Sequence, residues 1–452
     1  MGKICAISLR WVASVARGNE GVDNRRLFMK ILVAVVTAFC LAMPLGMRAE
    51  ESETSAPSAL MLALKQGKIS ADLRYRFDTF DREGAPFTGD AYAPTLRIAL
   101  GYETESYHGF SAFAQGAAVL ITGPADYSIP TLPSQNRPDR PTINDPRTVQ
   151  LAQGYLKWTG RVEDRKIIVK VGRQEIALND GRFVSVSYWR QIHETLDAAR
   201  FDTDITRHAT FTYAYVNRCY RTIGHDATDG KPPMHSHLLN LAAQKTGRIN
   251  VSLYGVLLDY RSVAQYALST RTFGVRTTGP YDFNPQWSLL YTAEFANQRN
   301  FGSNPNHVNA NYYLGELGPA WRGWVLFGGY ALLGGRSATN ELTTPLANPF
   351  NGWTELFANN ANLGTSHGLE ARYVTATGKV KPLRGLTATM TYYDYHSDSN
   401  RIHYGSELDW GLSYKIKRMG NHWEVGNRFG HYWADRLFTP ALRAAVYTQF
   451  TL

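Results

Sequence analysis

Cysteine is nearly absent. Three in 452 residues (Cys5, Cys40 and Cys219) cannot build a disulfide framework, and no two have the spacing of a zinc or iron–sulfur site. Charge is also scarce, at 19% of residues. Long hydrophobic runs are almost missing too. The one extended apolar stretch, Ile31 to Leu45, is shorter than the roughly 20 residues a membrane-spanning helix needs, which excludes a helical membrane protein. No linker divides the chain, although its length alone would suggest roughly three soluble domains of about 150 residues. No Gly-rich phosphate loop follows a strand and opens a helix, and the basic residues are dispersed rather than gathered into a nucleic-acid face. What the chain does have is aromatic residues, 12%, and 39 glycines. A single large unit is implied.

Met29-Lys30 opens a short basic region, Ile31 to Leu45 is apolar, and Arg48-Ala49-Glu50 returns to polar sequence, the layout of a secretory signal peptide. Residues 1–49 are therefore expected to be a leader and signal peptide with the true start at Met29, followed by a short periplasmic segment over 50–68. Residues 1–49 hold 7 Lys+Arg and 2 Asp+Glu, so the exported chain keeps 41 basic and 36 acidic residues, a net charge near +5 rather than +10. Cys5 and Cys40 leave with the leader. Thr37-Ala38-Phe39-Cys40 makes a poor lipoprotein acylation site, and Cys219 stands alone as an inert thiol.

Ser58 to Gln66 reads as a short amphipathic helix closed by Gly67. After it the period becomes two. Ile69 to Asp78 is apolar at every odd position. The same alternation recurs at Thr95 to Glu103, Arg248 to Leu257, Leu386 to Tyr392, Leu408 to Ile416, and in a last strand carrying Ala444, Val446, Thr448, Phe450 and Leu452 on one face. About eighteen such segments, most about ten residues long, occupy residues 69–452. That length and pattern predict an all-β fold, a transmembrane antiparallel β-barrel of the outer-membrane type.

The connections give an independent test, because such barrels have short periplasmic turns and long external loops. Every second connection is short: 105–109, 160–165, 202–207, 247, 279–284, 318–322, 378–382 and 418–421. Long ones at 122–148, 172–193, 219–234 and 334–367 alternate with them. A soluble propeller would also alternate along its strands, but it predicts blade repeats that are absent and gives no reason for sided loop lengths. Tyr102, Tyr155, Trp158, Trp287, Trp324, Trp423 and Trp433 near strand ends fit interfacial aromatic girdles. The expected location is the outer membrane of a Gram-negative bacterium, with outer-membrane lipid, lipopolysaccharide and the barrel assembly machinery as partners. The expected state is a monomer.

Eighteen strands enclose more space than side chains fill, so transport is the default function. With apolar faces toward lipid, the lumen would receive Asp72, Arg74, Arg76, Arg97, Arg248, Glu294, Glu370, Arg372, Glu407, Asp409, Lys415, Glu424, Arg428 and Arg443. Charges of both signs could pair and stiffen the wall. Against that, the exported chain has 30 Arg and 11 Lys, and the planar guanidinium matches carboxylate and phosphate geometry, which favours an anion-preferring pore.

One stretch is more specific than periodicity: Gly172-Arg173-Gln174, Gly181-Arg182-Phe183-Val184, Trp189-Arg190-Gln191 and Glu194-Thr195-Leu196-Asp197-Ala198-Ala199-Arg200. It resembles the G-R-Q…R-F-V…W-R-Q…T-F-D-A-x-R block of the alginate export family of outer-membrane porins, with Leu196 in place of the family's Phe. Tyr215-Val216-Asn217-Arg218 and Phe350-Asn351-Gly352-Trp353 add to the likeness. The resemblance implies an eighteen-stranded barrel with a cationic constriction that exports an acidic polysaccharide. It makes Arg173, Arg182, Arg190 and Arg200 the candidates for that constriction, with Arg74, Arg97, Arg248, Arg372 and Arg428 as wall candidates.

His235-Ser236-His237 places two imidazoles on one face of a strand, but no third metal ligand is identifiable. No Ser, His and acid arrangement stands out as a triad, so neither enzymatic activity nor a cofactor is expected. The function read here is an anion-favouring channel, for an anionic saccharide or for small acidic solutes. The alternative is a surface receptor or adhesin whose barrel only anchors its loops.

Overall fold

A computed structural model describes residues 59–245, 248–346, 351–357, 365–380, 383, 385–416 and 422–452. The expected signal peptide therefore lies outside the described residues. A helix, α1, spans Ala59–Lys65. The chain from Gln66 onward is a unit of its own. Its eighteen long strands are β1 Lys68–Arg82, β2 Ala91–Glu103, β3 Phe110–Ile121, β4 Thr148–Val162, β5 Arg165–Gln174, β6 Thr195–Thr206, β7 Ala209–Tyr220, β8 Pro233–Lys245 and β9 Ile249–Leu257. They continue as β10 Thr270–Asn284, β11 Trp287–Asn300, β12 Asn309–Trp321, β13 Trp324–Leu333, β14 Leu369–Lys379, β15 Leu386–His396, β16 His403–Lys415, β17 Trp423–Ala434 and β18 Ala441–Thr451. Each pairs antiparallel with its sequence neighbours, and β1 pairs with both β2 and β18, so one sheet closes on itself with no free edge. In hydrocarbon, closure is what satisfies every strand N–H and C=O.

The period of two sorts the side chains. On β1, Arg74, Arg76 and Asp78 are buried inside while Tyr75 and Phe77 are exposed outside. Leu156, Val171, Leu253, Leu326, Val374 and Val446 continue that outward apolar band. Outward Trp287, Trp321, Trp324 and Trp433 give it an aromatic border, with Trp287 stacked on Trp321.

Four expected positions are corrected by register. Ala152 has no partner where Gln115 and Gly116 pair with Gln153 and Leu151, and this bulge turns Tyr155 inward, over Lys170. On β14 the buried positions are Leu369, Ala371 and Thr375, so Glu370 and Arg372 face outward beside exposed Val374. Arg173 likewise shares the outward face with Val171 and Leu156, not the lumen. On β1 the alternation holds along the strand. A bulge, or an apolar and small residue facing inward as on β14, inverts it locally.

The short turns are tighter than glycine positions suggested: Glu163-Asp164, Arg207-His208, Pro285-Gln286 and Arg322-Gly323. Gly160, Gly279 and Gly318 lie within strands instead. A Cβ on Gly318 would sit 2.0 Å from the Leu326 carbonyl oxygen, so here glycine permits close backbone approach rather than a turn. Gly67 similarly packs its backbone against Glu103 and donates its N–H to the Tyr102 hydroxyl at 2.9 Å. Long connections lie at the opposite end, chiefly 122–147, 175–194 and 334–368, the last containing a two-stranded hairpin of Gly335–Ser337 with Asn340–Glu341.

Candidate functional site

The long loops carry residues that are buried against the inner wall. Ile176, Leu178, Phe183, Val184, Val186 and Ile192 of the 175–194 connection are all buried. One part of this loop rests on β9 to β12: Asp180 pairs with Arg276 at 2.9 Å, and the Phe183 ring packs on Tyr254 and Tyr312 at 5.8 and 5.4 Å. The other part rests on β1 and β2, where Arg74 donates to the Tyr188 and Arg190 carbonyls at 2.8 and 2.6 Å and to the Gln191 side chain at 3.1 Å. Strands β1 and β10 are nine apart in a ring of eighteen, and so face each other across the lumen. Residues 175–194 form a crossbar anchored on both walls.

At the β1 end the anchor is a buried charge network. Arg76 and Asp145, the latter from the 122–147 loop, pair with both side chains fully buried. Arg76 also donates to the Trp189 carbonyl and lies 4.4 Å over the Trp189 ring. Asp145 accepts the Gln191 N–H at 3.1 Å, while the Gln191 amide donates to Thr95 Oγ1 at 2.9 Å and Arg97 donates to the Gln191 carbonyl at 2.6 Å. A third loop closes over this. Glu355 pairs with Arg190 of the crossbar and, at 2.6 Å, with Arg443 of β18, which also grips Asp78 at 2.8 Å. Glu407 accepts the Thr354 N–H at 2.8 Å and its hydroxyl at 2.7 Å, and Asp409 accepts the Trp353 N–H at 3.0 Å. Glu355 itself has φ 60, a left-handed backbone that a glutamate holds only where its contacts over-determine it.

Burial works against the charge of Glu355, yet the Arg190 and Arg443 guanidiniums hold its carboxyl down at about 2. Burial likewise opposes the charge of Asp145, and Arg76 and Arg190 keep its carboxyl below the usual range. Both folded-state values are depressed, so the docking they provide is complete above the ordinary carboxylate range and is lost only as pH falls below it. Conductance at fixed salt is expected to stay flat from about pH 8 to about pH 5 and to change only below about pH 4. A pH series of single-channel recordings checks this, and a step near pH 6 to 7 contradicts it.

The expected arginines divide as follows. Arg74, Arg97, Arg182 and Arg190 all lie in this assembly, and Arg182 reaches Asn351 Oδ1 at 3.3 Å. They bind the loops, so they are anchors more than open lining. Arg200 faces inward but pairs with Asp202 at 2.8 Å, near the short-turn end of β6. Arg248 is exposed at the turn before β9, outside the wall. Arg173 forms an outward pair with Asp197 at 2.9 Å and stacks over Tyr220 at 3.3 Å. Arg372 is outward with Glu370 at 2.6 Å. His235 and His237 also face outward, His237 Nδ1 lying 2.9 Å from the Tyr213 hydroxyl.

Arg428 is different. Its guanidinium lies 3.7 Å over Trp189 of the crossbar and 5.1 Å from Trp353, and among the described residues it has no carboxylate in ion-pair contact. It borders a cavity of about 510 Å³ with Asp180, Tyr188, Tyr393 and Glu355. Sequence reasoning placed it only among the wall residues. The signal available was W-R-Q and N-G-W, whose tryptophans the two loops bring to one cation.

A closed, eighteen-stranded antiparallel barrel with an apolar outer band and charged loops folded into its lumen defines an outer-membrane porin. Solved structures agree on the fold. OccAB4 of Acinetobacter baumannii matches with TM-score 0.65 at 14% identity, over 86% of this chain and 99% of that one. OpdL of Pseudomonas aeruginosa matches with TM-score 0.64 at 14% identity over 86% and 99%. OpdK of the same organism, solved with vanillate, matches with TM-score 0.60 at 11% identity over 85% and 98%. No curated protein matches the sequence. The family model for alginate export matches residues 73–332, more than half of the chain. The chain belongs to the alginate export family, and it is a channel of the Gram-negative outer membrane.

Proposed function

We propose that this porin passes anionic solutes, and that Arg428 is the cation they meet beside the crossbar. The observation that carries the reading is the Trp189–Arg428–Trp353 stack bordering the cavity, where a guanidinium is oriented by two rings but not neutralised. Around it, Arg74, Arg76, Arg97, Arg190 and Arg443 are held by Asp72, Asp78, Asp145, Glu355 and loop carbonyls, whereas Arg428 has no ion-pair partner among the described residues. A planar guanidinium flanked by indoles suits a carboxylate on a flat ring or sugar.

Two substrate readings fit that chemistry. Membership of the alginate export family supports an acidic polysaccharide such as alginate. The crossbar and the size of the cavity, which is that of a small-molecule site, support a small acidic solute, and a related barrel was solved with vanillate. Inward docking of the long loops speaks for a channel over a receptor that displays them. Partners follow from this: the anionic solute, outer-membrane lipid and lipopolysaccharide, and the assembly machinery.

Planar-bilayer recording with uronic acid as blocker tests the site. Arg428→Ala should weaken the block about tenfold or more, the loss of one charge-assisted bond of roughly 1.5–3 kcal/mol. Equal block of the variant, or equal block by a neutral hexose, would sink the assignment. Block by oligouronates but not by the monomer would select the polymer reading.

A further inference from the structure

The outer rim carries a cluster that transport does not use. Asp394 and His396 end β15, His403 begins β16, and Asp435 follows β17. Asp394 and His396 share the outward face with exposed Tyr392 and Met390, and a register shift at Tyr395/His396 sets His403 directly opposite His396. All belong to the long-loop end of the barrel, at the external surface. The carboxylate of Asp394 touches both rings, 3.0 Å from His403 Nε2 and 3.6 Å from His396 Nδ1. The two imidazoles are 4.9 Å apart between centroids. One donor atom from each of Asp394, His396 and His403 fits within a 4.8 Å group.

We propose that Asp394, His396 and His403 form a site for one divalent transition-metal ion of the zinc class at the outer rim of the barrel. Three observations converge. Nitrogen and oxygen ligands about 2.0–2.1 Å from a tetrahedral ion are roughly 3.3 Å from each other, and the two Asp394 contacts bracket that spacing. Buried His396 Nδ1 has no hydrogen-bond partner in the protein, which leaves a ring nitrogen aimed at the group. His403 Nδ1 lies 2.9 Å from Asp435 Oδ2, so Nδ1–H can donate to that carboxylate and leave Nε2 as the lone-pair donor. This carboxylate, imidazole and metal sequence is the usual second-shell arrangement of metal-bound histidine. Arg372, the nearby outward cation, is engaged with Glu370 at 2.6 Å. Water would complete the coordination, since His403 and Asp394 are 40% and 34% exposed. Imidazole with carboxylate selects zinc, nickel or copper over magnesium or calcium. A bound ion would staple the ends of β15 and β16 at the cell surface, with the end of β17 tied in through Asp435. The sequence signal is Asp394-Tyr395-His396 followed by His403, two ligands at period two and a third across a short connection.

The test is calorimetric titration of ZnCl2 into the untagged, chelator-stripped full chain in detergent, with Co2+ absorption as a second readout. One ion per chain is expected, with visible Co2+ bands of a four-coordinate site. His403→Ala should weaken binding at least a hundredfold and Asp435→Asn ten- to a hundredfold. A double His235→Ala, His237→Ala variant should bind as the parent does. Heat-modifiable migration on a gel checks that each barrel is folded. Absence of stoichiometric Zn2+ binding by the parent overturns the proposal, as does binding that survives His396→Ala with His403→Ala or that follows His235 and His237 instead.

Discussion

Replacing Arg76 with Ala is expected to release the crossbar from β1 and raise single-channel conductance severalfold, with frequent transitions between levels. The side chain is fully buried and grips the crossbar through the Trp189 carbonyl and ring, and the 122–147 loop through Asp145. Its removal leaves Asp145 buried without its direct ion-pair partner, Arg190 acting on it only from farther off, and breaking a buried pair in this way costs roughly 3–5 kcal/mol. Asp145 also holds the Gln191 N–H, so the two loops loosen together. Asp145→Ala should act in the same direction. Replacing both residues with leucine should restore much of the docking, because neither charge is then left alone. Recordings of Arg76→Leu, Asp145→Leu and the double leucine variant form a closed cycle. Parental conductance in both single variants, with the barrel folded, would mean that the crossbar does not depend on this network.

Gly352→Val is expected to remove Trp353 from Arg428 and to abolish uronate block while leaving the barrel intact. Gly352 has φ +84, and a Cβ there would lie 2.4 Å from the Glu407 carboxylate. Strain and clash fall on the turn that presents the Trp353 and Thr354 N–H groups to Asp409 and Glu407. Glu407 is buried and cannot retreat, so the loop must move. A left-handed position forced on a β-branched residue costs roughly 1–3 kcal/mol, before the lost hydrogen bonds are counted. Glu407→Ala should reproduce the loss of block through the other partner. Tryptophan fluorescence should report Trp353 entering a wetter environment in both. If block persists with Trp353 displaced, Trp189 alone orients the guanidinium.

The barrel was legible in the sequence because its determinants are local. Period-two alternation and sided connection lengths are written into each segment, and both are consequences of lipid outside and a polar lumen inside. Glycine misled at Gly160, Gly279 and Gly318, where a neighbouring strand or ring, not a turn, requires the missing Cβ. Parity misled at Tyr155, Glu370 and Arg372, where a bulge and an inward apolar face reverse the assignment, and the family block misled at Arg173, which alternation with Val171 turns outward. The site was harder. Arg76 and Asp145 are 69 residues apart, and Arg190 and Glu355 165 apart, so no window of sequence contains either pair. The family block includes the loop 175–194, but could not show that Arg182, Arg190 and the arginines of β1 and β2 hold that loop in place. The metal cluster was missed for the opposite reason: its residues are close in sequence, but only the shift at Tyr395/His396 brings His403 opposite His396.

The direct measurement is the reversal potential of the purified barrel in a planar bilayer under a potassium chloride gradient. The account predicts a potential whose sign reports chloride over potassium, reduced toward zero by Arg428→Ala and reversed by Arg428→Glu. A cation-selective potential in the parent protein, or one indifferent to both substitutions, would contradict it.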